Sequence, residues 1–196
     1  WDTSAVRNMV SMFEGASSAN PDTSGWDTSS VLGMNYMFAF TDLANPDTSG
    51  WNTSAVRNMY AMFHDASSAN PDTSGWDTSA VLNMGNMFYF ASSANPDTSG
   101  WNTSAVTNMS SMFYLATSAN PDTSGWDVSS LTNAAHMFAG VTLSRPNYEA
   151  LLINWNAQVL QPGVSFIGGN STYCSSSAAN ARANMINSDG WTIIDG

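Results

Sequence analysis

Carboxylates are the groups best placed to do chemistry in this chain, and they are not scattered. Asp22, Asp47, Asp72, Asp97 and Asp122 recur every 25 residues, each inside the string Asn-Pro-Asp-Thr-Ser-Gly. A second row, Asp27, Asn52, Asp77, Asn102 and Asp127, follows each tryptophan and alternates acid with amide. Like charges directly opposite one another on neighbouring strands are destabilising, so a row of aspartates needs a remedy. Either each carboxylate accepts hydrogen bonds from nearby backbone and hydroxyl groups, as in an Asx-turn, or cations sit between the repeats. Calcium, which favours oxygen-rich sites with several carboxylates, is the candidate cofactor for the second case. One Asp per repeat supplies few ligands, which favours the hydrogen-bonded arrangement. In the second row, exchanging every other Asp for Asn halves the charge and keeps the acceptor, which points to a capping role.

Acid–base or nucleophilic catalysis is a poor fit, and the chain does not read as an enzyme. His64 and His136 fall in different repeats, at the fourteenth and eleventh repeat positions. The serines recur at fixed positions, as structural residues do, and none has a base placed beside it by sequence. Cys174 is the only cysteine, so it forms no internal disulfide and has no partners for a zinc site. Four arginines and no lysine stand against fifteen acids, a net charge of −11. Nucleic acid and anionic membrane surfaces would be repelled. No apolar run is long enough to span a bilayer, so direct membrane insertion is not expected.

The elements that must position these rows follow from the period. Trp1, Trp26, Trp51, Trp76, Trp101 and Trp126 are 25 residues apart without error, and a fixed period of this length marks a solenoid. Within one unit, Val56, Met59, Met62, Phe63 and Ala66 fall at steps of three, three, one and three. That spacing predicts a short helix facing inward, started by Thr53 or Ser54. The methionines read as adaptable core filler. Pro71 and Gly75 bracket Asp72-Thr73-Ser74, long enough for one short strand. Stacked units would place such strands in a parallel sheet about 4.8 Å apart, with a bend at Gly75 turning Trp76 inward. The expected fold class is therefore an α/β solenoid, a leucine-rich-repeat-like stack of 25-residue coils. Each coil carries one short parallel strand and one short helix, and a C-terminal cap closes the stack. Residues 1–140 make six repeats and residues 141–196 the cap.

In the cap, Tyr148, Leu151, Leu152 and Trp155 form a helical stripe with Ser144 or Asn147 as N-cap. A strand is expected at 164–167, a helix at 174–186 and a last strand at 191–194. Phe166 and Trp191 are 25 apart, which predicts that the coil period continues through them. From Trp126 to Phe166 is one period plus a 15-residue insertion that matches the extra helix.

Against a constant scaffold, the informative positions are those that vary. The variable outward positions include Tyr36, Phe40, Tyr60, His64, Tyr89, Phe90, Tyr114 and Leu115. A run of aromatics along one flank suggests a contact surface, although Phe40 and Phe90, being equivalent, would also fit a seam between coils. Ring faces next to hydroxyls and carboxylates suit a sugar polymer or an extended peptide. The units beginning at Trp26 and Trp76 resemble each other, as do those at Trp1 and Trp51, so the array reads as doublings of a 50-residue pair.

The combination W-D-T-S-x-V-x-N-M-x-x-M-F, present as "WDTSAVRNMVSMF", "WNTSAVRNMYAMF" and "WNTSAVTNMSSMF", resembles the BspA-like leucine-rich-repeat surface proteins. The ending "GVSFIGGNSTYC…INSDGWTIIDG" is similar to endings in that family. The resemblance implies an extracellular or cell-surface adhesion module, part of a larger protein, that binds a glycan or protein on another surface. It implies no catalytic residues. The family has large apolar residues where Ala19, Ala44, Ala69, Ala94 and Ala119 stand, and Ile or Leu where Thr23, Thr48, Thr73, Thr98 and Thr123 stand. A thinner coil or a more polar strand face is expected. Two other functions compete. One is a structural extender, with end-to-end self-association through an uncapped N-terminal coil. The other is ice binding through the threonine row, which the flanking aspartates disfavour.

Overall fold

The computed structural model describes residues 1–196. Successive repeats lie against one another in chain order, linked by parallel backbone pairing at Asn8, Gly33, Asn58, Asn83, Asn108 and Asn133. The hydrogen bonds show how the chain achieves this. In the second repeat the N–H groups of Met34, Tyr36, Phe38 and Phe40 donate to the carbonyls of Asn58, Tyr60, Met62 and His64 in the third. Between them, Met37 and Ala39 donate three residues back, to Met34 and Tyr36. Alternate N–H groups thus point along the stack, while the others close tight turns. The backbone must change hand to do so. Tyr36 and Phe40 have φ of 58° and 60°, and their equivalents Ala61 and Asp65, Asn86 and Phe90, and Ser111 and Leu115 are left-handed too.

The short helix expected in each coil therefore does not form. An α-helix needs every N–H to bond four residues back, and here half of them leave for the next repeat. So short a segment is below the length at which a helix sustains itself. The lateral ladder satisfies its polar groups instead. The inward side is nevertheless the one the spacing indicated: Val56, Met59, Met62, Phe63 and Ala66 are fully buried.

Nor is Asp72-Thr73-Ser74 a strand. Pro71 offers no N–H, and neighbouring repeats are joined here by side chains. The Thr73 hydroxyl donates to the Asp97 carbonyl at 2.6 Å, and the Asn95 N–H donates to Asn70 Oδ1 at 2.8 Å. The equivalent threonines repeat the pattern, as in Thr48 to Asp72 at 2.6 Å and Thr53 to Asp77 at 2.9 Å. The Thr73 and Thr53 rows are buried, so the polar residues at the apolar family positions face inward. Thr23, Thr48, Thr73 and Thr98 bond along the stack, while the hydroxyl of Thr123, last in the row, has no partner. A row buried in this way presents no hydroxyl lattice to solvent. Thr53 and Ser54 cap no helix: the Thr53 hydroxyl points to the next repeat and Ser54 bonds Asn52. The bend before the tryptophan is present as a tight turn, in which the Trp76 N–H donates to the Thr73 carbonyl at 3.1 Å.

Two aromatic columns run through the core. The indoles of Trp51, Trp76 and Trp101 stack at 6.2 and 6.4 Å with 2° between planes. Phe38, Phe63, Phe88, Phe113 and Phe138 stack at 5.4–5.6 Å. The indole Nε1 groups of Trp51, Trp76, Trp101 and Trp126 each donate to a carbonyl 28 residues back, as from Trp76 to Thr48 at 3.4 Å. Methionines and valines fill the remaining width, and within the repeats all are buried from Val31 and Met34 onward.

The last part of the chain holds all the regular elements: α1 (Arg145–Asn156), β1 (Ser165–Ile167), α2 (Ser176–Asp189) and β2 (Thr192–Ile194). Ser144 is the N-cap residue of α1 but makes no side-chain capping bond, and a proline opens the helix. Ser175 caps α2 by accepting the Ala178 N–H, and left-handed Gly190 ends it. The two strands pair in parallel, Phe166 opposite Ile193. One expectation fails here: Phe166 does not continue the tryptophan column. It pairs with Ala134 in the sixth repeat, and Trp155 of α1 takes the next indole position. Its Nε1 donates to the Thr123 carbonyl at 3.2 Å, just as Trp126 donates to Thr98 at 3.4 Å. Counting 25 from Phe166 treats α1 as an excursion, whereas the helix itself forms the next layer.

Candidate binding flank

The eleventh and fifteenth positions of each repeat are the left-handed ones, and they decide which side chains face outward. Phe40 and Phe90 sit at the fifteenth position and are 44% and 41% exposed. They do not fill a seam. From them a continuous aromatic strip crosses four repeats. Phe40 meets His64 edge-on at 5.0 Å, and His64 stacks on Tyr89 at 4.5 Å, 4° from parallel. Tyr89 stacks on Tyr114 at 4.8 Å, and Phe90 leans on both, at 4.9 and 5.7 Å. Tyr36 and Tyr60 form a separate edge-to-face pair at 5.4 Å. Tyr60 lies over Gly85, where a β-carbon would come within 3.2 Å of its ring, and its hydroxyl accepts the Asn86 amide at 2.7 Å. Of the seven aromatic and imidazole residues singled out by sequence, five thus form one strip and two form a neighbouring pair. Leu115, at the same position as Phe90, is half-buried. His136 extends the strip by an edge contact with Tyr114 at 6.4 Å. Its only sequence signal was its place at the same repeat position as Tyr36.

His64 is half-buried, and its Nδ1 is buried with no hydrogen-bond partner. Desolvation pushes its pKa below the ordinary imidazole value, with Asp65 pulling the other way. The ring is neutral at pH 7 on that account. Burial, with Tyr60 next in size, raises the Tyr36 phenol.

Both aspartate rows are Asx-turns. Asp72 Oδ1 accepts the Ser74 N–H at 3.0 Å and the Ser74 hydroxyl at 2.7 Å. Asp22, Asp47 and Asp97 do the same with Ser24, Ser49 and Ser99, and Asp122 accepts the Ser124 N–H at 2.9 Å. In the second row Asp27 and Asn52 hold Ser29 and Ser54 in the same way. The amide replaces the acid there because only an acceptor is needed. Each repeat contributes one carboxylate per row, and no three His, Cys, Asp or Glu side chains gather as metal ligands do.

These bonds make a testable statement about acid. The serine hydroxyl and N–H hold Asp2, Asp22, Asp27, Asp47, Asp72, Asp77 and Asp127 below the ordinary 3.8. Asp97 is lowered likewise, the Ser99 N–H contributing most. In the cap, the N–H groups of Cys174 and Ser175 lower Glu149 from 4.5 to about 2. A carboxylate depressed in the folded state stabilises it above the unfolded pKa, and that contribution is lost as pH falls through the folded value. Melting temperature is expected to fall steadily as pH drops from about 4.5 towards about 2. A flat profile across that window would show that the turns carry no such linkage.

A cleft of about 400 Å³ lies where α1 meets the sixth repeat, lined by Trp126, Asp127, Asn154, Gln158 and Val159 among others. Its main polar group is already engaged: Gln158 accepts the Val128 N–H at 2.7 Å and donates to the Trp126 carbonyl at 2.8 Å.

Repeats that bond to their neighbours and share one apolar spine define a tandem-repeat protein. The chain belongs to the family described as Mycoplasma protein of unknown function, DUF285, which matches residues 1–95 and 39–155. No curated protein and no solved structure matches the chain.

Proposed function

We propose that this chain is a ligand-binding stretch of an extracellular, cell-surface repeat protein, a solenoid of the BspA-like leucine-rich-repeat kind that acts in adhesion. The observation that carries the reading is the pair of phenyl rings held outward on a left-handed backbone. That conformation costs a residue with a β-carbon about 1–2 kcal/mol. The first and sixth repeats place Gly15 and Gly140 at this position, with φ of 72° and 78°. Phe40 and Phe90 occupy it instead and remain two-fifths exposed, so packing offsets only part of the cost. Strain kept in an exposed bulky residue is a mark of a functional surface.

The test is the double variant Phe40→Ala and Phe90→Ala, assayed against immobilised polysaccharides and extended peptides. Stability is expected to change by under about 0.5 kcal/mol for each exposed site, while affinity for the captured ligand falls at least about tenfold. Unchanged binding would remove the strip as the recognition surface. A structural role, as an extender or end-to-end self-associating segment, is the second reading. The unbroken ladder from repeat to repeat favours it, since that ladder needs no ligand to form. Light scattering at rising concentration separates the two: association that grows with concentration, without ligand, supports the extender.

A further inference from the structure

We infer that the flank takes a basic, proline-rich peptide in the polyproline II conformation, lying along Phe40, Asp65 and Phe90. The inference rests on the flank being a binding surface and names what it recognises.

Three observations lead there. The first concerns ring faces. A sugar lays its C–H groups on the flat face of an aromatic ring, but the inner rings of the strip have used theirs. Tyr89 is covered by His64 on one side at 4.5 Å and by Tyr114 on the other at 4.8 Å. What remains outward is ring edges, together with the more exposed Phe40 and Phe90.

The second is spacing. Phe40 and Phe90 occupy the same position two repeats apart. Hydrogen-bonded neighbours lie about 4.8 Å apart, so the two positions are separated by about 9.6 Å. Polyproline II repeats its side-chain direction every three residues, a rise of about 9.3 Å. Residues on one face of a β-strand recur at about 6.8 Å and would fall out of step. Proline rings seated on aromatic side chains are the usual way such a peptide is held.

The third is charge. In the repeat between the two phenylalanines the equivalent residue is Asp65. It is exposed and left-handed, and its N–H bonds the Tyr89 carbonyl. Its carboxylate has no hydrogen bond and no ion pair within the chain, in contrast to the serine-bound aspartates of the two rows. A lysine or arginine between two prolines would lay its stem against a phenyl ring and place its charge at Asp65. The net charge of −11 favours the same sign of partner.

The experiment titrates the full chain, by fluorescence anisotropy, with labelled peptides of repeating Pro-Lys-Pro and of repeating Pro-Glu-Pro, and with labelled cellohexaose. The lysine peptide is expected to bind and the glutamate peptide not to. Asp65→Asn is expected to weaken the lysine peptide about tenfold, and Asp65→Lys to transfer preference to the glutamate peptide. The Phe40→Ala and Phe90→Ala double variant is expected to lose binding while its melting temperature shifts by no more than a few degrees. Equal binding of the two peptides, or indifference to Asp65→Asn, would overturn the proposal. If cellohexaose alone binds, and the double variant abolishes it, the peptide inference fails while the flank reading survives. If no probe binds, the peptide inference fails, and the wider ligand panel decides the flank separately.

Discussion

Replacing Trp76 with alanine is expected to destabilise the chain by about 3–5 kcal/mol, the range for deleting a large buried aromatic. The indole is 3% exposed and lies between Trp51 and Trp101 at 6.2 and 6.4 Å. Its removal opens a cavity in the column and leaves the Thr48 carbonyl without its Nε1 donor. Relaxation is limited, because both neighbouring rings are fixed by their own bonds to Thr23 and Thr73. Trp1 occupies the same repeat position but is 82% exposed, so Trp1→Ala is expected to cost under about 1 kcal/mol. Chemical denaturation of the two variants measures the difference. Equal effects would mean that the indole column does not hold the repeats together, and the stack would need another source of cohesion.

The contrast between these two tryptophans shows what the period alone conveys. Identity of position was readable, because 25 residues separate every pair. Which side chains face inward was readable too, since Val56, Met59, Met62 and Phe63 sit at steps of three, three and one. The element was not, because tandem turns that close three residues back produce the same spacing as a helix. The deciding feature is the left-handed residue at the eleventh position, filled by Ser11, Tyr36, Ala61, Asn86, Ser111 and His136. None of these announces positive φ as a glycine does. At the fifteenth position the signal was present but diluted, with glycine in two of six repeats. Asx-turns were legible from aspartate and serine two apart. The threonine rows were harder, because their burial depends on a hydroxyl reaching the next repeat, a partner that no single unit contains. The flank was legible as a set of residues. Its division into a five-membered strip and the Tyr36–Tyr60 pair was not, because the residues occupy different repeat positions and only the stacked backbone brings them together.

The cap gives the second large effect. Gly169→Ala is expected to destabilise the chain by about 3 kcal/mol. Gly169 has φ +70°, and a β-carbon there would press into the backbone carbonyl oxygens of Val141 and Phe138. Left-handed strain contributes about 1–2 kcal/mol. Moving the loop away would also break the bond from the Asn170 N–H to the Val141 carbonyl, 2.8 Å long, for about another 1–2 kcal/mol. Gly163 is the control: its φ is +72° but no atom lies within 4 Å of the added carbon. Gly163→Ala therefore meets the strain alone, about 1–2 kcal/mol. The loop at Gly169 joins β1 to the segment leading into α2, so displacing it loosens Phe166 and Trp155, which pack on each other at 5.3 Å, and the contact of Phe166 with Phe138 of the sixth repeat at 6.3 Å. Gly169→Ala should then expose the apolar end of the sixth repeat and bind a hydrophobic dye before global unfolding, whereas Gly163→Ala should not. If the two variants melt alike and neither binds dye, the close approach at Gly169 does not seat the cap, and α1 with Trp155 must be holding it alone.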